Sequence, residues 1–217
     1  MKHQKKSVNK GFTLIELLVV IAIIAVLAVV VILTLNPAGL LQEARDSNRI
    51  SDMATLKSAL SLYLADVPSP SLGSNVCYVA VPQTPAWAVT IKSNSPSSTQ
   101  ACNAWMVTTG ASSTVVVTTG ASARAIGTTT ASTAGWIPVP LGLISAGNPF
   151  PQWPIDPTNN NSYFYSYTAS TSTGSPTFKI AMFMESSKYE ASGTADVEST
   201  DGGQNNYVFE GGSNLNL

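Results

Sequence analysis

Glu16 is the residue whose type and position most clearly predict chemistry in this chain. It is the single charged residue of the apolar segment 11–35. On insertion scales an acidic side chain at the centre of a membrane helix costs about 2.5 to 3.5 kcal/mol, so an intramembrane carboxylate indicates a functional site. The position predicts that the carboxylate of Glu16 pairs with a buried cation.

The segment that carries Glu16 is long enough to cross a bilayer. Residues 12–35 number 24, and at a helical rise of about 1.5 Å each they reach about 36 Å, against a hydrocarbon core of about 30 Å. Four lysines and no acid precede the segment, namely Lys2, Lys5, Lys6 and Lys10. By the positive-inside rule the N-terminus stays in the cytoplasm and residues 36–217 are exported.

A small residue, Gly11, stands directly before the apolar run. The segment GFTLIELLVVIAIIAVLA resembles the class III leader of type IV prepilins and type II secretion pseudopilins. The resemblance implies that prepilin peptidase cleaves between Gly11 and Phe12, and that Phe12 becomes the N-methylated terminus. It further implies that Glu16 pairs with the terminal amine of a neighbouring subunit during assembly. A single-pass anchor with a chance glutamate near the interface is the alternative.

Charge and histidine content exclude several function classes. Without residues 1–11 the chain has seven basic residues against twelve acidic ones, so it lacks the basic stripe of a nucleic-acid-binding protein. The one histidine, His3, lies in the leader, which removes the usual Ser-His-Asp, Cys-His and His-bearing metal sites. We find no Walker loop and no dinucleotide fingerprint. The sequence therefore predicts no enzyme, no cofactor and no metal.

The two cysteines, Cys77 and Cys102, both lie in the exported part, where oxidising conditions allow a disulfide. A bridge between them would close a loop of about 26 residues and contribute roughly 3 kcal/mol in the chain-entropy model. Two free buried thiols are the alternative, because spacing alone does not bring two sulfurs together. We expect the bridge.

Helical periodicity resumes after the apolar segment. Asn36 followed by Pro37 predicts a helix break and restart, and apolar residues then recur every three or four positions between Leu40 and Ala65. These are Ile50, Met53, Leu56, Leu60 and Leu64. One helical face should thus pack on a sheet. Three charged residues at a spacing of three, Asp46, Arg49 and Asp52, are interpreted as a solvated surface ladder.

Aromatic and apolar runs in the last third predict a short sheet. Residues 163–168 and 178–184 flank the turn-forming segment ASTSTGSP, which is typical of a hairpin, and residues 207–210 can add a strand. The segments WPIDPTNNNSYFYSY and YVFEGGSNLNL also resemble the Pro-Asp-Pro turn and sheet of pseudopilin-like proteins. The aromatic residues are interpreted as core, with a sugar-binding patch as the alternative. They are Tyr163, Phe164, Tyr165 and Tyr167.

The middle of the chain is nearly uncharged and rich in hydroxyl groups. VTTGAS occurs at 107–112 and again at 117–122, which predicts a pair of strands or a tip extension, because a solenoid needs about three repeats. The Ser/Thr-rich insertion 93–135 can carry O-linked sugars or form a polar sheet or loop. The C-terminal acids Asp196, Glu198 and Asp201 resemble the calcium loop of major pseudopilins, but their spacing is loose, and a solvated acidic turn is favoured.

The sequence as a whole predicts an α+β, pilin-like protein, with a long N-terminal helix packed on a small antiparallel sheet. Its parts are a leader (1–11), a transmembrane and assembly helix (12–35), an amphipathic second half (36–66) and an exported β-rich domain (67–217). We expect a structural subunit of a type IV pilus, anchored in the inner membrane as a precursor and extracellular when assembled. Its partners would be prepilin peptidase, its own copies and the assembly machinery. The alternatives are a major pseudopilin, a minor tip pilin that binds a surface ligand, and a tethered module that never polymerises.

Overall fold

The computed structural model describes residues 11–73, 77–80, 115–118, 126, 135–160, 162–170, 175–215 and 217. The chain divides into two compact units, Met1–Leu41 and Gln42–Leu217. The fold class is α+β, as predicted, with two α-helices, a short 3-10 helix (Leu141–Leu143) and one sheet among the described residues.

Helix α1 (Leu14–Leu35) forms the N-terminal unit. Its side chains are exposed along the part of the helix for which the structure describes them. The helix ends where Asn36 adopts a left-handed conformation, with φ of 39°. Pro37 opens the next helix, at a first-turn position where its missing N–H is not needed. The break predicted at Asn36 and Pro37 is confirmed.

Helix α2 (Pro37–Asp66) supplies one wall of the C-terminal unit. Its buried apolar residues recur every three or four positions, as one helical face requires. They are Met53, Leu56, Ala59, Leu60 and Tyr63. The opposite face is exposed and mostly small or polar, including Ser47, Ser51, Ala54, Ser58 and Ser61. The prediction of an amphipathic helix with one face in the core is confirmed.

Five short strands form one sheet in the order β2-β1-β3-β4-β5. They are β1 (Cys77–Ala80), β2 (Val115–Thr118), β3 (Ser166–Ser170), β4 (Thr177–Met182) and β5 (Phe209–Gly212). Strands β1, β3, β4 and β5 pair antiparallel, as predicted, whereas β2 pairs parallel to β1. The hairpin β3–β4 and the added strand β5 lie within about three residues of their predicted positions. Most of the VTTGAS repeats and of the insertion lie outside the described residues.

Tyr165 and Tyr167 belong to the core cluster that includes the apolar face of α2, whereas Phe164 packs outside this cluster, with its ring 6.2 Å from that of Phe183. Phe164, Tyr165 and Tyr167 are fully buried, which supports the core interpretation over a sugar-binding patch, while Tyr163 is half-buried. The hydroxyl of Tyr165 donates to Asp52 of α2 at 2.7 Å. A polar tip with a hydrogen-bond partner is the usual condition for burying a tyrosine.

Candidate assembly site and the buried ion-pair cluster

The carboxylate of Glu16 lies at the start of α1 and is bound there by Thr13. The backbone N–H and the hydroxyl of Thr13 both donate to Oε2 of Glu16, at 2.9 and 2.8 Å. In return the N–H of Glu16 donates to the hydroxyl of Thr13 at 3.3 Å. This reciprocal arrangement is a capping box, which satisfies backbone donors that a helix N-terminus leaves without partners. The carboxylate therefore has an intramolecular partner in the single chain.

An open groove of about 350 Å³ runs beside this cap and is lined by Phe12, Ile15, Glu16, Val19 and Val20. Glu16 is the charged residue of an otherwise apolar lining, and Phe12 is 89% exposed. The structure thus places Phe12 and Glu16 together at one end of α1. Gly11 precedes them, and a Cβ at this position would meet no atom within 4 Å.

Cys77 is buried as the first residue of β1. Cys102 lies outside the described residues. The disulfide between Cys77 and Cys102 therefore stays a prediction.

The interpretation of Asp46 and Arg49 as surface charges is wrong. Both side chains are fully buried and pair at 2.8 Å. The guanidinium of Arg49 also binds Asp156 through two hydrogen bonds, of 2.7 and 2.8 Å, and contacts Glu185 at 2.5 Å. Three carboxylates therefore surround Arg49, which is why its charge is tolerated inside the protein.

The ion-pair cluster, defined as Arg45, Asp46, Arg49, Asp156 and Glu185, joins α2 to two loops of the C-terminal unit. Asp46 accepts hydrogen bonds from the backbone N–H groups of Glu185 and Ser186, just after β4. Asp156 accepts from the N–H groups of two residues of its own turn, Thr158 and Asn159. Each carboxylate thus fixes a backbone segment as well as balancing charge.

Glu185 is the carboxylate on which both arginines meet. Arg45 binds it with Nε, at 3.0 Å, and with Nη2, and the hydroxyl of Thr158 donates to it at 2.6 Å. Burial alone raises the pKa of Glu185, but the hydrogen bonds from Arg45, Thr158 and Arg49 outweigh burial and lower the pKa to about 2. The carboxyl group of Glu185 is therefore ionised at neutral pH.

Acidic residues near the C-terminus accept hydrogen bonds from backbone N–H groups. Glu198 is buried and accepts from the N–H groups of Met184 and Ala191, and Asp196 accepts from those of Ser192 and Ser199. Within the described residues no group of three or more His, Cys, Asp or Glu side chains is arranged to hold a metal ion. The expectation of a solvated acidic turn holds for Asp196 but is wrong for Glu198.

Comparison with known proteins bears on the N-terminal unit. The family model described as the prokaryotic N-terminal methylation motif matches residues 6–32. No curated protein and no solved structure matches the chain. Among the described residues, Leu14–Ile32 is the one helical segment long and apolar enough to cross a membrane. The motif and the helix together support a type IV pilin or pseudopilin family and a membrane-anchored precursor, and the motif indicates a structural subunit.

Proposed function

We propose that this chain is a structural subunit of a type IV pilus, cleaved by prepilin peptidase and polymerised through its N-terminal helix. The observation that carries the proposal is the methylation motif at residues 6–32, on a capped apolar helix whose first turn holds one carboxylate. The hydroxyl-rich insertion 93–135, whose one charged residue is Arg124, favours a surface fibre over a periplasmic pseudopilus. The pseudopilus and the tip subunit are the other outcomes of the experiment below.

Cleavage between Gly11 and Phe12 would create a new amine at the edge of the bilayer. The groove beside the cap contains Phe12 and Glu16, so the charge that can balance a neighbour's amine lies close to the new terminus. A terminal amine buried without a counter-charge is strongly unfavourable, which makes the carboxylate of a staggered neighbour its natural partner. Methylation of Phe12 and pairing through Glu16 are parts of the same proposal.

The proposed requirement for glycine at position 11 comes from the peptidase and not from packing within this chain. A Cβ there would meet no atom within 4 Å, so Gly11→Ala and Gly11→Leu should leave the folded subunit unchanged. A peptidase that fits only a small side chain beside the membrane would accept alanine in part and reject leucine. Processing thus separates a cleaved prepilin from a permanent anchor.

The experiment follows precursor size and filament yield in the same cells. An immunoblot of wild type should show a shift of about 1 kDa on loss of residues 1–11, and N-terminal sequencing should begin at Phe12. Gly11→Leu should remain full length and give no sheared fibres, with Gly11→Ala as the matched variant that should be processed in part. Normal processing of Gly11→Leu would contradict the proposal.

Mass spectrometry of sheared fibres distinguishes the remaining candidates. A major pilin should dominate the fibres, a tip subunit should be scarce in them, and a tethered module should stay in the membrane. A pseudopilin should give no surface fibres at its normal level. Fibre content thus identifies a major pilin or a tip subunit, and when fibres are absent, cleavage after Gly11 separates a pseudopilin from a tethered module.

A further inference from the structure

Lys179 and Glu210 form a second buried charge pair, which shares no residue with the ion-pair cluster. Lys179 lies in β4 opposite Gly212, and Glu210 lies in β5 opposite Ala181, so the two side chains are diagonal neighbours across adjacent strands. Nζ of Lys179 lies 2.5 Å from Oε1 of Glu210, and the side chains are 1% and 0% exposed. An amine and a carboxyl group are therefore in contact in a dry part of the sheet.

The contact does not have the geometry of a hydrogen bond. Oε1 of Glu210 is buried and has no hydrogen-bond partner among the described residues, although Nζ is so close. The amine instead donates to the main-chain oxygens of Leu215 and Leu217, at 3.1 and 3.3 Å. Oε2 of Glu210 accepts from the N–H of Asn205 at 3.1 Å. The backbone thus holds both groups in place while Nζ lies against the carboxyl group.

Asp201 lies beside Glu210 in the same buried region. It accepts from the N–H groups of Glu210 and Gly203, at 2.5 and 2.7 Å. A Cβ on Gly203 would lie 1.8 Å from Oε2 of Glu210 and 3.0 Å from Oδ1 of Asp201, so the two carboxyl groups converge beside this glycine. Burial, with the charge of Glu210, raises the pKa of Asp201 to about 6 against the lowering effect of its hydrogen bonds and Lys179. Asp201 can therefore both hold and release a proton near neutral pH.

We propose that Lys179 and Glu210 condense to an intramolecular isopeptide bond, with Asp201 carrying the proton between the reacting groups. The ammonium of Lys179 first transfers one proton to the carboxylate of Glu210. Nζ then adds to Cδ, the bond between Cδ and one oxygen breaks, and that oxygen leaves as water with a proton from Asp201. Asp201 takes back the proton that the nitrogen loses. An ammonium and a carboxylate thus become an amide and water, with no oxidant or cofactor.

Burial favours this reaction in two ways. Two charges held in a low-dielectric interior carry a large desolvation cost, and a neutral amide removes it. The backbone contacts also fix the amine beside the carboxyl group, so the reaction does not spend orientational entropy. The product would join β4 to the edge strand β5 covalently. This inference does not depend on the proposed filament function.

Trypsin digestion of the full-length chain, purified from membranes in detergent, tests the bond directly. After Arg124 the sequence has only two tryptic sites, Lys179 and Lys188. An unmodified chain gives the separate peptides 125–179, 180–188 and 189–217. The bond blocks cleavage at Lys179 and joins 125–188 to 189–217 in one species, with a mass lowered by one water, about 18 Da. Lys188 pairs with Glu43 at 2.9 Å on the exposed surface and should be cleaved normally, as an internal control.

Variants separate the isopeptide bond from other losses of water. Lys179→Arg should keep its full mass, whereas a succinimide at Asp201 and Gly202 would still lose water in that variant. Glu210→Gln should form the same bond with loss of ammonia, about 17 Da. Asp201→Asn should lower the cross-linked fraction at least tenfold. Free peptides 125–179 and 189–217 from folded wild-type protein, or a water loss that persists in Lys179→Arg, would overturn the proposal.

Discussion

At the scale of single residues, the carboxylate of Glu16 has one partner within the chain, Thr13, and a second, proposed partner in a neighbouring subunit. In the single chain its carboxylate closes a capping box with Thr13, and in the proposed filament it would face the amine of a neighbour. A carboxylate has several lone-pair sites, and both hydrogen bonds from Thr13 end on Oε2. The other oxygen, Oε1, can then accept the incoming amine while the cap persists.

Substitution of Glu16 should separate charge pairing from helix capping. Gln at the third helical position also closes a capping box, so Glu16→Gln keeps the cap and removes the charge, and Glu16→Val removes both. We expect both variants to insert in the membrane yet to lose most filaments, because breaking a buried charge pair costs about 3 to 5 kcal/mol at every subunit contact. The measurement is the ratio of sheared to membrane-bound subunit, with processing checked in parallel. Wild-type filament yield from Glu16→Gln would show that the cap, not the charge, matters.

Thr13 should matter less than Glu16 and through the cap alone. Thr13→Val keeps the shape of the side chain but loses the hydroxyl that donates to Glu16 and accepts from its N–H. Loss of an N-cap costs about 0.5 to 2 kcal/mol, so we expect a several-fold drop in filament yield, with Thr13→Ser close to wild type. The same shearing assay measures it. A loss as complete as that of Glu16→Val would mean that the hydroxyl has a role in the subunit contact itself.

At the scale of elements, the ion-pair cluster joins α2 to the loops around Asp156 and Glu185. Arg49 is the group that all three carboxylates share, so its removal leaves three buried carboxylates with Arg45 as the remaining cation of the cluster. Arg49→Met should therefore lower the free energy of unfolding by about 3 to 5 kcal/mol. Thermal unfolding of the detergent-solubilised chain, followed by tryptophan fluorescence, measures the change. Lys57→Met, on the exposed face of the same helix, is the control and should stay within about 0.5 kcal/mol of wild type.

The pH dependence of this cluster has a defined sign. The pKa of Glu185 is lowered to about 2 in the folded chain, from an ordinary value of 4.5. A lowered folded-state pKa stabilises the fold above the ordinary pKa, and this contribution is lost as the pH falls toward the folded-state value. Glu185→Gln should thus be less stable than wild type at pH 7, and the difference should shrink between about pH 4.5 and 2. A difference that is constant over this window would show that Glu185 acts by packing and not by charge.

Spacing alone could have predicted that Asp46 and Arg49 are buried. The positions 46, 49, 53, 56, 60 and 63 follow one another at intervals of three and four, and all six are buried in α2. The charged pair therefore continues the apolar stripe that begins at Met53. A charged side chain at this spacing is buried when ion-pair partners meet it there. The ion-pair partners of Arg49 could not be predicted from local sequence, because Asp156 and Glu185 lie 107 and 136 positions from it.

At the scale of the whole molecule, the sequence predicted the parts whose signals are local. The helix break at Asn36, the amphipathic helix and the hairpin β3–β4 each depend on residues within one segment, and each is found. The parallel pairing of β2 with β1 was not predicted, because it joins Cys77 to Val115 across a long, weakly patterned segment. Long-range strand pairing is set by the packing of the whole sheet and not by local propensity.

The state of the two cysteines should report on which side of the membrane the C-terminal unit lies. Positive charge before α1 predicts export of residues 36–217, and an exported Cys77 and Cys102 should be oxidised to one disulfide, whereas cytosolic thiols stay reduced. Alkylation of the denatured full-length chain should label neither cysteine before reduction and both after it. A matched chain that lacks residues 1–35, and so stays in the cytoplasm, should be labelled on both cysteines without a reductant.

Labelling of the full-length chain before reduction would contradict either the export or the pairing, and the variant Cys77→Ser distinguishes these two explanations. If Cys102 of that exported variant then forms an intermolecular disulfide, the compartment is oxidising and the predicted pairing is what fails.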